Sequence, residues 1–308
     1  MHPAPSIIIF TTLSGLGYGL AFVLGLGLLD PAALATRIAW VAALALIGGG
    51  LSSSTLHLGN PQRAWRAFSQ WRSSWLSREG VMAVITFLPL AASAWLCVIE
   101  GRYLPLFGLL GSALSLCTVF CTAMIYASLK SVQAWHTPLT PLCYLLFSLA
   151  GGFVAASFFA ACGAGGTALL PAVAILLLGG AWAAKWSWRR RMLGAKPLSS
   201  PESATGLGAI GKVRLLERPH MTENYLTKEM GFKVARKHAG KLWRLALVLG
   251  AAAPIVLLLM LAASGWQAGI AAALVAAAAL AACLSGMVVE RWLFFAEARH
   301  AVMNYYGG

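Results

Sequence analysis

Between two long apolar runs the sequence carries HLGNPQRAWRAFSQWRSSWLSRE, from His57 to Glu79. A histidine opens this block and a glutamate closes it, each at the margin of an apolar run. Four arginines and three tryptophans lie between them. Ionisable groups at membrane depth are costly and mark a functional site by default. An imidazole there can donate, accept and change protonation near neutral pH. A poorly solvated carboxylate can take up and release a proton. The plainer reading of the block is an interfacial belt of Trp and Arg that anchors two helix ends. In that reading His57 bonds a free helix-end carbonyl. Glu79 then sits in the first turn of the next helix, facing its dipole, with Ser77 as a possible cap.

The elements that must position these groups are membrane helices. Apolar residues make up 59% of the 308 and charged residues only 10%, where a soluble domain carries about 25% charged residues. A bilayer core about 30 Å thick takes roughly 20 apolar residues per helix. Eight such runs can be drawn, at 6–29, 32–56, 80–99, 104–129, 139–161, 168–188, 242–264 and 268–295. The expected fold is therefore an all-α polytopic membrane protein, an eight-transmembrane-helix bundle forming one integral-membrane domain over 1–308. MHPAPS, ahead of the first run, has no Lys or Arg, so that run reads as a retained helix. Gly15 and Gly19 give it a small-xxx-small face for close packing. Pro254 predicts a kink in the seventh helix.

One connection is out of proportion. The polar segment 189–241, between helices 6 and 7, is far too long for a plain link in a compact bundle. RPHMTENYLTKEMGF within it, Arg218 to Phe232, mixes aromatic, carboxylate and amide groups that a purely solvating linker would lack. The segment reads as a basic loop and docking element.

The net charge is +14. In a soluble protein this would raise nucleic acid as a partner, but here the basic residues flank apolar runs, so topology and anionic lipid account for them. With eight spans, 21 of the 23 Lys and Arg fall on the side of the termini, of the 57–79 block and of the long loop. Only Arg37 and Arg102 fall opposite. The positive-inside rule puts the crowded side, and both termini, in the cytoplasm of a bacterial inner membrane.

Other chemistries find little support. The cysteines, Cys97, Cys117, Cys121, Cys143, Cys162 and Cys283, form no CxxC pair or ferredoxin-like run, so no iron–sulfur cluster, zinc site or disulfide framework is expected. All six histidines fall on the cytoplasmic side, which disfavours a pair of bis-histidine haems at two depths, while one haem near the cytoplasmic face stays open. A secondary transporter would carry ionisable groups near the midplane on repeated halves. The span interiors hold almost none, and that class stays as the alternative. A quinone fits a site at the cytoplasmic edge, because its ring is moderately polar and its tail dissolves in lipid. Its reduction needs a hydrogen-bond donor on a carbonyl oxygen and a route for protons. His57 suits the first role and Glu79 the second, with Arg63 to orient Glu79 or polarise the other carbonyl.

The block also resembles the DmsC family, membrane anchors of dimethyl-sulfoxide-reductase-type molybdoenzymes within the broader NrfD-like group. The resemblance rests on LHLGNPQRA, Leu56 to Ala64, followed by LSREG, Leu76 to Gly80, with His57, Gly59, Pro61, Arg63 and Glu79 on matching positions. ENYLTKEMGF (Glu223 to Phe232) and ERWLFFAEARH (Glu290 to His300) are similar to further family segments. The resemblance implies a quinone-binding anchor, with ubiquinone or menaquinone as its substrate and no redox centre of its own. It would not catalyse the substrate half-reaction. Its implied partners are an iron–sulfur subunit with four 4Fe–4S clusters and a molybdopterin catalytic subunit. His57 and Glu79 are the implied quinone pair, with Gly59 and Arg63 beside them. Arg66, Arg72, Arg78, Tyr225 and Lys228 are the residues expected at the docking face. A cytoplasmic docking face matches the SoeC-type anchors of SoeABC sulfite dehydrogenases, so sulfite oxidation coupled to quinone reduction is the expected activity. A quinol-oxidising anchor of a dimethyl sulfoxide reductase is the alternative within the family.

Overall fold

The computed structural model describes residues 3–55, 60–197, 199–214, 216–217, 234–263 and 268–306. Eight of its helical segments are long and apolar enough to cross a membrane. They begin with α1 (Pro5–Gly25) and α2 (Leu34–Thr55), then a 3-10 helix over Pro61–Gln70. Next come α3 (Trp75–Glu100), α4 (Pro105–Ala127) and α5 (Leu139–Phe159), the last closed by a π turn at Ala160–Ala164. After α6 (Leu169–Gly194) and the short α7 (Pro201–Thr205), α8 (Val234–Leu247) and α9 (Ala253–Ala263) flank a π turn and share one span, His238–Ala263. α10 (Ile270–Ala296) completes the bundle.

Local sequence explains the helix ends. Proline stands in the first turn of α1 and of α4, where its missing N–H has no partner to lose. Ser74 caps α3, its hydroxyl accepting from Ser77 N at 3.5 Å, and Gly101 ends that helix in the left-handed region at φ 64°. The cap is thus Ser74 rather than Ser77, and α3 starts five residues before the apolar run drawn for it. α6 likewise runs on to Gly194. Hydropathy falls off at the membrane surface, but backbone hydrogen bonding continues through Trp and Arg, which are adequate helix formers.

A π turn at Val248–Ala252 interrupts the regular α-helix just before Pro254, where the sequence predicts a kink. Proline cannot bond the carbonyl four residues back and crowds it, and an extra residue in the turn relieves that crowding. The carbonyl concerned, on Gly250, accepts the Trp182 indole N–H at 2.8 Å instead.

α1 runs through the middle of the bundle, and it and α5 are the most buried spans. Glycine makes this possible: a Cβ on Gly19 would run into the Ser148 carbonyl, and one on Gly152 into the Gly19 backbone. Gly15 has no such neighbour, so the close approach falls on one member of the expected pair. Short hydroxyls lace α1 to its neighbours, with Ser148 Oγ on α5 donating to Gly15 O at 2.7 Å and Ser112 Oγ on α4 to Phe22 O at 2.8 Å. Such bonds matter in lipid, where apolar burial between helices supplies little drive.

The antiparallel run of the helices brings the starts of α1, α3 and α5 to one end, with the finishes of α2, α4, α6 and α10. Ser53 on α2 bonds Ser6 O on α1 at 3.0 Å, and Trp135 ahead of α5 bonds Phe294 O on α10 at 3.0 Å. The chemistry-bearing residues gather at that end.

Candidate functional site

Glu79 is the fifth residue of α3 and is buried, 4% exposed. It lies beyond the first turn, so the helix dipole is not what holds it. Its carboxyl accepts a hydrogen bond from the Thr122 hydroxyl on α4, which also reaches Thr118 O at 3.1 Å. Among the described residues it forms no ion pair. Tyr18, Tyr126 and Tyr144 are close enough to feel its charge. One turn outward, the Trp75 and Phe120 rings meet edge to face at 6.0 Å on the α3–α4 seam. A buried carboxyl whose one hydrogen-bond partner among the described residues is a hydroxyl, beside an aromatic, lipid-side seam, can exchange a proton with an apolar guest.

His57 and Gly59 lie outside the described residues, between Thr55 and Asn60, as do Tyr225 and Lys228. Arg63 is exposed on the 3-10 helix, so the orientation of Glu79 falls to Thr122. Arg66 and Arg72 are also exposed and lie over their neighbours Trp65 and Trp71, at 5.6 Å and 5.3 Å from the ring centres. Arg78 binds this segment to α3: Nε donates to Trp71 O at 2.9 Å, Nη2 to Arg72 O at 2.7 Å, and the guanidinium covers Trp75 at 4.3 Å. The exposed Trp65, Phe68 and Trp71 leave an aromatic and cationic surface at this end of the bundle.

The expectation that the spans hold almost no ionisable groups is corrected by a cluster at the same end. Lys185 on α6 meets Glu290 on α10 at 2.6 Å, and Arg291 Nε lies 3.6 Å from the same carboxylate. All three are at most 3% exposed. Lys185 lies over Trp188 at 3.6 Å from the ring centre, and Arg291 over Tyr144 at 3.7 Å. Nearer the helix ends, Arg189 and Glu297 pair at 2.8 Å. In sequence Lys185 and Arg291 read as flanking charges of the long loop and the C-terminus. The available signal was spacing: Lys185 and Arg189 stand one turn apart on one helix, Glu290 and Glu297 two turns apart on another. Subtracting both buried cations leaves the charge asymmetry between the two sides in the same direction.

Among the described residues no three of His, Cys, Asp and Glu converge as metal ligands. A groove of about 530 Å³ opens beside the loop before α5, lined by Gln133, Arg189, Glu297, Arg299 and His300 among others.

Comparison with known proteins agrees with this architecture. No solved structure matches the protein. A sulfite dehydrogenase subunit of Allochromatium vinosum is 32% identical over 99% of both sequences. One component of the anaerobic dimethyl sulfoxide reductase of Escherichia coli K12 is 30% identical over 43% of this protein and 48% of its own length. The family model for the dimethyl sulfoxide reductase anchor subunit, DmsC, matches residues 1–296, and the protein, a multi-pass bundle of eight apolar helices, belongs to that family.

Proposed function

We propose that the protein is the quinone-binding membrane anchor of a cytoplasm-facing molybdenum and iron–sulfur oxidoreductase. It passes electrons between an iron–sulfur subunit and the quinone pool, and the substrate half-reaction is sulfite oxidation to sulfate. The observation that carries this reading is Glu79, a buried carboxyl bonded by Thr122 at the end of the bundle where the basic residues gather. The relative matching nearly end to end, a sulfite dehydrogenase subunit, supports the choice of substrate.

A quinone is substrate here, and the residues fit one. Trp75 and Phe120 offer flat apolar faces at the lipid side, one turn from Glu79. Glu79 holds and gives the proton that an oxygen of the reduced ring requires, and Thr122 fixes the orientation of its carboxyl. His57 is proposed as hydrogen-bond donor to the other oxygen, with Gly59 and Arg63 beside it. The Trp65, Arg66, Phe68, Trp71 and Arg72 surface and the basic loop over 189–241, with Tyr225 and Lys228, are proposed to seat a four-cluster iron–sulfur subunit, which connects to the molybdopterin subunit.

In the assembled complex, Glu79→Gln and His57→Ala should abolish turnover with a water-insoluble quinone and leave sulfite oxidation by an artificial dye intact. Full quinone turnover in both variants refutes the site. A reporter fused to the C-terminus should read cytoplasmic, and a periplasmic reading refutes the docking side. The match to the Escherichia coli reductase component favours a second reading, a quinol-oxidising anchor. Dimethyl sulfoxide reduction by the purified complex, without sulfite oxidation, would select it.

A further inference from the structure

Behind Glu79, α1, α4, α5 and α10 leave a cavity of about 10 Å³ between them. That is close to the space one water occupies. Thr122, the hydrogen-bond donor to Glu79, lines it, together with Ser14, Tyr144, Ser148 and Arg291. Two of these residues carry buried polar atoms without a hydrogen-bond partner among the described residues: the Tyr144 hydroxyl and Arg291 Nη1. A buried guanidinium N–H left without an acceptor is costly, and native structures seldom tolerate it. The other side of the cavity is complementary. Ser14 Oγ donates to Phe10 O at 2.6 Å and Ser148 Oγ to Gly15 O at 2.7 Å. Each serine hydroxyl has committed its one proton and can only accept. Thr122, donating to Glu79, is in the same condition.

We propose that this cavity binds a single ordered water that joins Arg291 and Tyr144 to the Thr122–Glu79 pair. The water accepts from Arg291 Nη1 and from the Tyr144 hydroxyl. It donates one hydrogen to Thr122 Oγ1 and the other to a serine hydroxyl. Four bonds satisfy it, and the two unmatched donors are satisfied with it. Arg291 and Tyr144 are then positioning residues for the Glu79 carboxyl. The water, polarised by the guanidinium, makes Thr122 a stronger donor and holds its proton on Glu79 rather than on the competing Thr118 carbonyl. This functional consequence rests on the reading of Glu79 as the proton-exchanging group of the quinone site, whereas the water itself does not.

The assembled complex supplies the test. A high-resolution density map should show one water within hydrogen-bond distance of Arg291 Nη1, Tyr144 Oη and Thr122 Oγ1. An empty cavity overturns the proposal outright. Tyr144→Phe keeps the ring beneath the guanidinium and removes one hydroxyl, so it carries the functional arm even where Arg291→Gln fails to assemble. Its kcat with quinone should fall by about 10-fold, the ratio a single hydrogen bond supports, with KM unchanged. The Glu79 carboxyl band in the redox-induced infrared difference spectrum, identified by its loss in Glu79→Gln, should move to higher wavenumber. Thr122→Val should move it further and Thr122→Ser should restore it. With Glu79→Gln inactive, an unmoved band and unchanged kcat in Tyr144→Phe refute the positioning role alone. Full quinone turnover in Glu79→Gln instead refutes the reading of Glu79 as the proton-exchanging group, and leaves the water to be judged by the density.

Discussion

Replacing Glu290 by glutamine removes the one negative charge between Lys185 and Arg291 while keeping nearly the same shape. The carboxylate lies 2.6 Å from Lys185 Nζ and 3.6 Å from Arg291 Nε, and all three side chains are at most 3% exposed. Breaking a buried pair by removing one partner costs about 3–5 kcal/mol, because a buried charge is left uncompensated. Here two cations are left, and although Trp188 and Tyr144 cover them, ring faces offset only about 2 kcal/mol each. Glu290→Gln should therefore destabilise by at least about 3 kcal/mol, roughly a 100-fold change in the folded ratio. Lys185→Met is a milder change, since Glu290 keeps Arg291 as counter-ion. The double variant should cost less than the sum of the two, by about 1–3 kcal/mol of coupling. The assay is reversible unfolding of the purified anchor in mixed micelles, following tryptophan fluorescence. Equal single costs that add within about 0.5 kcal/mol would show that the three side chains do not act as one electrostatic unit.

Further consequences are open to measurement. Gly19→Ala puts a methyl into the α5 backbone while Gly48→Ala meets no atom within 4 Å, so the first should sharply reduce the yield of monodisperse protein on size exclusion and the second should not. Arg78→Ala removes both bonds to the Trp71 and Arg72 carbonyls. It should speed proteolysis within 61–74 and weaken retention of the iron–sulfur subunit on affinity purification; unchanged cleavage would count against Arg78 as the fastener. His300 lies outside the spans, and burial holds its imidazole below its ordinary value. Val302 N donates to its Nδ1 at 3.1 Å, which requires the neutral ring. The native turn thus favours neutral histidine, so its stability is complete above the unfolded pKa and is lost as pH falls through that value towards the lower folded one. The protection factor of the Val302 amide, its exchange measured against the intrinsic rate at each pH, should fall below about pH 6.5, and His300→Gln should remove that pH dependence.

The sequence by itself determined the eight apolar spans, and it singled out a basic side and Glu79 as the features on which the proposed orientation and site rest. Apolar runs of membrane length and lopsided Lys and Arg are one-dimensional quantities, and a carboxylate stranded at the edge of such a run is conspicuous. Pro254 announced a break in the regular α-helix because its missing donor acts only along its own helix. What the sequence left undecided was which side chains meet. Thr122 stands 43 residues from Glu79 and looks like any hydroxyl in a membrane helix, yet the antiparallel packing of α3 and α4 makes it the partner. Lys185 and Arg291 each looked like an ordinary flanking cation, because a flank and an interior differ only in what surrounds them. The Glu290 carboxylate, carried in by another helix, made burial tolerable. The tertiary structure alone placed that cluster, the cavity beside it and the Thr122–Glu79 bond at one end of the bundle. Charges in lipid must find partners, and those partners lie on other helices.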